Sequence, residues 1–408
     1  MKCLLFPILI LNFLTNILAF DDFQLRFDVK KTRDDFFLAI LKIGKKKYEL
    51  LIDTSSSIST IKKIFHSYSN KVDHNEYIFN YLEKFDVSGH FHQENLNDDE
   101  KSPIIFLLSP DFQYKGTYGV LGLAYDESEN NILYKLKLNG NIKKLIFSIK
   151  PLYGLYNKYE LYFGDYHDDF DLNETNKYNV GYCDMVHKKD SYSCIGNNII
   201  ITNNEKEFNI PIDLKIIFDT GSDLNYAPLY LKDKFLEAFN DKCVMQYNVK
   251  NGEKIYFLSC RNINKKMYIS FVINGFSYIY SNYHLFVHDH LEEDHTLTNM
   301  IFLFDEKIDY ILLGVPFIEQ YHILFDLEDN KIFFHNDREF NGDDFIKTYP
   351  INSKTNSENI KRSEIKYIYL ITLFIIVIMF INIFLIVKKA YKYVGKKKEE
   401  NEEELIDI

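Results

Sequence analysis

Along most of its length the chain alternates short runs rich in Ile, Phe, Tyr and Val with clusters of Asn, Asp and Gly. Apolar runs of that length, broken by turn-forming residues, predict short antiparallel strands joined by turns. Helical spacing is scarce, and the clearest amphipathic helix is predicted over Leu231 to Phe239, "LKDKFLEAF". Two apolar stretches depart from the rhythm. The first runs from Met1 to Ala19, with one lysine followed by Leu, Ile and Phe, and ends in a small residue that suits signal-peptidase cleavage. The second, Tyr367 to Val387, holds 21 residues with no charge and only Asn382 strongly polar, a length that spans a bilayer.

At 408 residues the chain exceeds what one hydrophobic core organises, so two lobes are expected. The expected division is a signal peptide over 1–19, a first lobe over 20–180, a second over 181–345, a polar stalk over 346–366, a membrane helix over 367–387 and a tail over 388–408. With 46% apolar and 16% aromatic residues, both lobes can bury sizeable cores. A net charge of −11 argues against a nucleic-acid binder, which needs a basic surface. Lysines crowd after the apolar span, at 388, 389, 392, 396, 397 and 398, more than before it, where Lys361, Arg362 and Lys366 stand. That bias places the tail in the cytosol and the lobes in the lumen or outside the cell. An oxidising setting follows. Once Cys3 leaves with the signal, Cys183, Cys194, Cys243 and Cys260 remain, and pairing 183 with 194 and 243 with 260 is the simplest of three connectivities.

The strand pattern repeats itself. Leu50 to Thr60 reads "LLIDTSSSIST", an apolar strand running into Asp53-Thr54 and then small hydroxyl residues. Lys215 to Asp223 reads "KIIFDTGSD", again an apolar strand, then Asp219-Thr220, then small residues. Each copy is followed downstream by an apolar strand that closes on glycine, "YGVLGL" from Tyr118 and "YILLG" from Tyr310. A repeat of this kind predicts pseudo-twofold symmetry, with the two carboxylates meeting where the lobes meet. Two carboxyls about 3 Å apart cannot both ionise, so they share one proton. The ionised member can take a proton from a water held between them while the protonated member supports the oxyanion that forms at a peptide carbonyl.

These residues resemble the pepsin-like aspartic proteases, over nearly all of the luminal part. "FFLAILKIG" from Phe36, "YGVLGLAY" from Tyr118, "ELYFG" from Glu160 and "YILLGVPFIEQYHILFDLEDNKIFF" from Tyr310 are similar to family segments and stand in family order. The resemblance implies that Asp53 and Asp219 are the catalytic pair, that Thr54 and Thr220 interlock the two loops, and that Ser56 and Ser222 donate to the outer carboxylate oxygens. It implies a second-lobe disulfide between Cys243 and Cys260, and a substrate side lined by Gly221, Asp223 and a flap tyrosine, Tyr81, in the hairpin Phe79 to Gly89. Departures are visible too. Ser55 stands where the family has glycine, the flap lacks its usual glycines, and the stretch between Asp53 and Tyr81 is short. The chain has no tryptophan to pair with the flap tyrosine, and no inhibitory prosegment is legible between Phe20 and Asp53, so the mature N-terminus is expected near Phe20. Asp223 occupies a position where pepsins carry a hydroxyl residue and where retroviral proteases carry an aspartate that contacts substrate main chain.

The expected fold is mainly β, a two-lobed pepsin-like aspartic protease with pseudo-twofold symmetry and one C-terminal transmembrane helix. The expected function is a monomeric, membrane-anchored aspartic endopeptidase of the secretory pathway, similar to the plasmepsins, acting on protein or peptide substrates with no cofactor. The alternative is a catalytically impaired relative that binds peptides or a protein partner without cutting. Further features read as surface: no metal site is expected from His90, His92, His284, His288, His290 and His295, whose spacing fits no ordered ligand pattern. Asn173 begins the sequon Asn-Glu-Thr in a polar loop, a candidate glycosylation site.

Overall fold

The computed structural model describes residues 25–348 apart from 33, 64–69, 73–74, 82–84, 98, 100, 111, 113–116, 153–156, 167–169, 171–179, 187–190, 204–205, 240–241, 251–252, 261–266, 287–297, 337–338, 341–342 and 345. The expected signal peptide, most of the stalk, the membrane span, the tail, Asn173, His288, His290 and His295 lie outside the described residues. Within them no helix is long and apolar enough to cross a membrane.

Among the described residues the strands form a sheet of fourteen, a sheet of ten and a two-stranded ribbon. The two large sheets share a motif. In the first, Lys46–Asp53, Gly119–Gly122, Thr60–Lys62 and Pro103–Ser109 lie side by side. In the second, Lys206–Phe218, Ile311–Leu313, Asn225–Pro228 and Thr298–Asp305 do the same. In both, the successive pairings run parallel, antiparallel, parallel. Parallel-paired strands are commonly buried on both faces and then call for unbroken apolar runs. Leu50, Leu51 and Ile52 beside Val120 and Leu121, and Phe218 beside Ile311 and Leu313, supply them, all buried.

The larger sheet also joins distant parts of the chain. His322–Asp326 pairs with Ile146–Pro151, and Lys331–His335 carries Val180–Asp184 on its far side. Strands from either side of the 180/181 boundary thus share one sheet. Leu25–Lys31 runs between Lys158–Phe163 and Phe37–Ile43 in this sheet. At its end Lys31 Nζ reaches Glu319 Oε2 at 2.5 Å, and Glu319 Oε1 meets His284 Nδ1 at 2.6 Å. Burial alone would raise the Glu319 carboxyl, but the hydrogen bond and charge of His284, then those of Lys31, outweigh it and hold it below its ordinary value.

The predicted helix begins as a tight turn over Leu229–Leu231 and continues as Lys232–Phe239, burying Phe235, Ala238 and Phe239. A second helix, Ile132–Leu138, escaped the sequence reading; Asn131 caps it by accepting from the Tyr134 amide at 3.1 Å. Both short-spaced cysteine pairs are bonded, Cys183 to Cys194 and Cys243 to Cys260, the latter directly opposite each other across a hairpin. The expected flap is a hairpin of Tyr77–Tyr81 against Phe85–Asn95, with Tyr81 opposite Phe85 and the tip outside the described residues. Tyr77 and Phe79 pack on Phe91, with ring centroids 4.8 and 5.8 Å away, and join Leu38, Leu51, Val87 and Leu107 in a small core of their own.

Candidate active site

Each copy of the repeat ends its strand on a buried aspartate, Asp53 and Asp219. A chain that leaves a sheet there must find partners for backbone groups the ladder no longer satisfies, and the two loops satisfy each other. The Thr54 amide donates to Thr220 Oγ1 at 3.1 Å and the Thr220 amide to Thr54 Oγ1 at 3.0 Å. Each hydroxyl then donates across the junction, Thr54 to the Phe218 carbonyl at 3.0 Å and Thr220 to the Ile52 carbonyl at 2.9 Å. Both threonines are fully buried, so these bonds form out of water, where breaking one is costly.

The brace brings the carboxylates together. A Cβ added at Gly221 would lie 2.7 Å from Asp53 Oδ1 and 3.1 Å from Asp219 Oδ1, so this glycine sits between the two acids and a side chain there would strike them. The Gly221 amide donates to Asp219 Oδ1 at 2.8 Å, and the Ser55 amide donates to Asp53 Oδ1 at 2.9 Å. Ser55 adds its hydroxyl to the same oxygen, at 2.7 Å. Neither Ser55 nor Gly221 has a positive φ, so serine at this position carries no left-handed strain.

Further along, the loops continue to match. Ala124 N donates to the Ser56 carbonyl and Val315 N to the Ser222 carbonyl, both at 2.9 Å. Gly122 and Gly314, the closing glycines, lie so near the Ser56 and Ser222 carbonyls that a Cβ would come within 2.7 and 2.6 Å of them. Gly122 N donates to Ser59 Oγ at 3.2 Å, and Gly314 N to Asn225 Oδ1 at 2.8 Å. Ser59 and Asn225 were missed from the sequence; counting the same number of residues on from each Asp-Thr would have found them. Asn225 is backed by a polar run, its amide donating to Tyr280 Oη at 2.7 Å and Tyr280 Oη donating to the His284 carbonyl at 2.8 Å.

The hydroxyls of Ser56 and Ser222 differ from expectation. They donate to the carbonyls of Ile58 and Leu224, at 3.2 and 2.9 Å, instead of to the carboxylates. The turn places a carbonyl two residues on within reach, and such local bonds compete with longer ones. Asp223 is half-buried. The nearby Tyr226 phenol is pushed up to about 12 by burial, then by the charges of Asp223, Asp305 and Asp219. Tyr81 closes the hairpin ladder opposite Phe85. Of the described histidines, His90 Nδ1 pairs with the Asn75 carbonyl, His92 stacks near Phe106 and His284 pairs with Glu319. Among the described residues no group of His, Cys, Asp and Glu is arranged to hold a metal.

A mainly β chain with two copies of one strand motif, braced so that two aspartates share a buried junction, has the build of an acid-pair hydrolase. Residues 104–336 match the family model of the eukaryotic aspartyl protease, and the chain belongs to that family. The match includes Asp219 and its loop and begins after Asp53. Comparison with curated proteins gives no match.

Proposed function

We propose that the protein is an aspartic endopeptidase in which Asp53 and Asp219 activate a water between them to hydrolyse peptide bonds. The observation that carries the reading is the position of Gly221, whose Cα faces both Oδ1 atoms at once and so reports that the carboxylates converge. Close carboxyls in a buried junction keep one proton between them, the state needed for one to act as base and the other as acid. The reciprocal threonine bonds hold both loops at hydrogen-bond precision, and that preorganisation favours a fixed geometry for attack. Gly221, Asp223 and Tyr81 are assigned to the substrate side. The apolar span 367–387 anchors the protein in a secretory-pathway membrane with the protease lobes luminal.

The test is incubation of the full chain in detergent micelles with a peptide library from pH 4 to 7, with and without pepstatin, a mimic of the tetrahedral intermediate. Pepstatin-sensitive cleavage is expected. The second reading, a relative that binds peptides without cutting, draws on one observation, the extra hydroxyl that Ser55 places on Asp53 Oδ1. Pepstatin binding without cleavage across that range would favour it.

A further inference from the structure

The two halves of the site share much of one pattern and differ at the residue after Asp-Thr. There the second loop has Gly221, which offers an amide, and the first has Ser55, which offers an amide and a hydroxyl to a single oxygen, Asp53 Oδ1. We propose that Ser55 is a positioning residue that fixes where the shared proton resides, holding Asp53 as the ionised member of the pair and leaving the proton on Asp219. The inference rests on the aspartic-protease reading for its catalytic meaning, though not for its geometry.

Three observations carry it. The hydroxyl bond is short, 2.7 Å, in the range of a hydroxyl donating to a charged oxygen. Two donors converging on Oδ1 engage both in-plane lone pairs of that atom, and a proton placed there would oppose them. The site holds this arrangement without backbone strain, since Ser55 lies outside the left-handed region. The hydroxyl that Ser55 adds has no counterpart at Gly221, and that difference in donors separates the two carboxyls. In the proposed chemistry Asp53 then takes the proton of the attacking water, and Asp219 donates to the oxygen of the scissile carbonyl.

Three variants of the full chain in micelles test it. Ser55→Ala and Ser55→Gly remove the hydroxyl and keep the amide; Ser55→Thr keeps both. The acid limb of kcat/KM is expected to move up by about one to two pH units in the first two, the effect of losing a hydrogen bond to a charged group. Ser55→Thr is expected to return it to the wild-type position. An equilibrium arm needs no turnover: the Tm of wild type minus that of Ser55→Ala, from pH 7 to pH 3. A bond that favours the ionised form stabilises the fold at higher pH and loses that effect as pH falls through the titration of Asp53. The gap should therefore be largest near pH 7 and close toward pH 3. A gap that closes, without cleavage by any variant, would keep the Ser55 assignment and remove the protease reading. A flat gap overturns the assignment, whether or not cleavage is seen, and so does an acid limb that stays in place when the hydroxyl is removed.

Discussion

The loop after Asp53 and the loop after Asp219 have the same backbone wiring and different chemistry. Thr54 and Thr220 exchange equivalent bonds, Ser56 and Ser222 each close a local turn, and a glycine from a parallel strand lies against each. Yet Gly221 stands where the first loop has Ser55, and Asn225, with Tyr280 behind it, stands where the first loop has Ser59. What is common builds the junction between the loops. What differs gives each aspartate its own surroundings, which a twofold site would otherwise deny them.

The largest expected effect tests what is common. Asp53→Ala and Asp219→Ala should each lower peptide cleavage by at least about 10⁴-fold, since the pair acts as a unit. Thermal unfolding should show both still folded. Activity surviving in one variant would mean that the loops do not share a site.

Next, Glu319→Gln strikes support that stands behind the second loop alone. It removes the buried carboxylate that Lys31 shares with His284, leaving the largely buried Lys31 with Asp35 alone, and should cost about 3 kcal/mol in unfolding near pH 6.5. The sign with pH follows from the depressed carboxyl. Its contribution is complete above the ordinary value of 4.5 and is lost as pH falls through the lower folded value. Unfolding curves of wild type and variant should converge as the solution is acidified below about pH 4.5.

Gly221→Ala breaks the comparison from the other side. Its new Cβ would meet Asp53 Oδ1 at 2.7 Å, and displacing a catalytic carboxylate by a fraction of an ångström should cost about 10²-fold in kcat. Ser55→Ala adds no atom and should lose far less at the pH optimum, so equal losses would refute the claim that the two positions differ.

The smallest effect lies in the brace. Thr54→Val and Thr220→Val should each cost about 2 kcal/mol by leaving buried amide and carbonyl groups unpaired. Because they share bonds, the double variant should cost less than the sum of the singles.

Much of this is legible in the sequence. Apolar strands entering Asp-Thr, closing glycines and close-spaced cysteines are local signals, and each marks an element found in place. The helix after Leu231 was legible because its apolar spacing is clean; Ile132–Leu138, a short helix rich in Leu and Lys, lacks that contrast. The hydroxyl bonds of Ser55, Ser56 and Ser222 were not legible, since a serine side chain chooses among acceptors that only the folded turn presents. Nor was the partnership of Lys31 with Glu319, 288 residues apart, which leaves no trace in either neighbourhood.

The reciprocal threonine bonds also impose an order in time. As the chain is made, Thr54 emerges long before the groups it binds, which follow 164 and 166 residues later. At about 5–20 residues per second that is a wait of roughly 10 to 30 seconds. Through that interval the first aspartate has neither its brace nor its partner carboxyl. A nascent chain built this way cannot cut its neighbours on the ribosome, because the proposed chemistry is assembled by the last half to arrive.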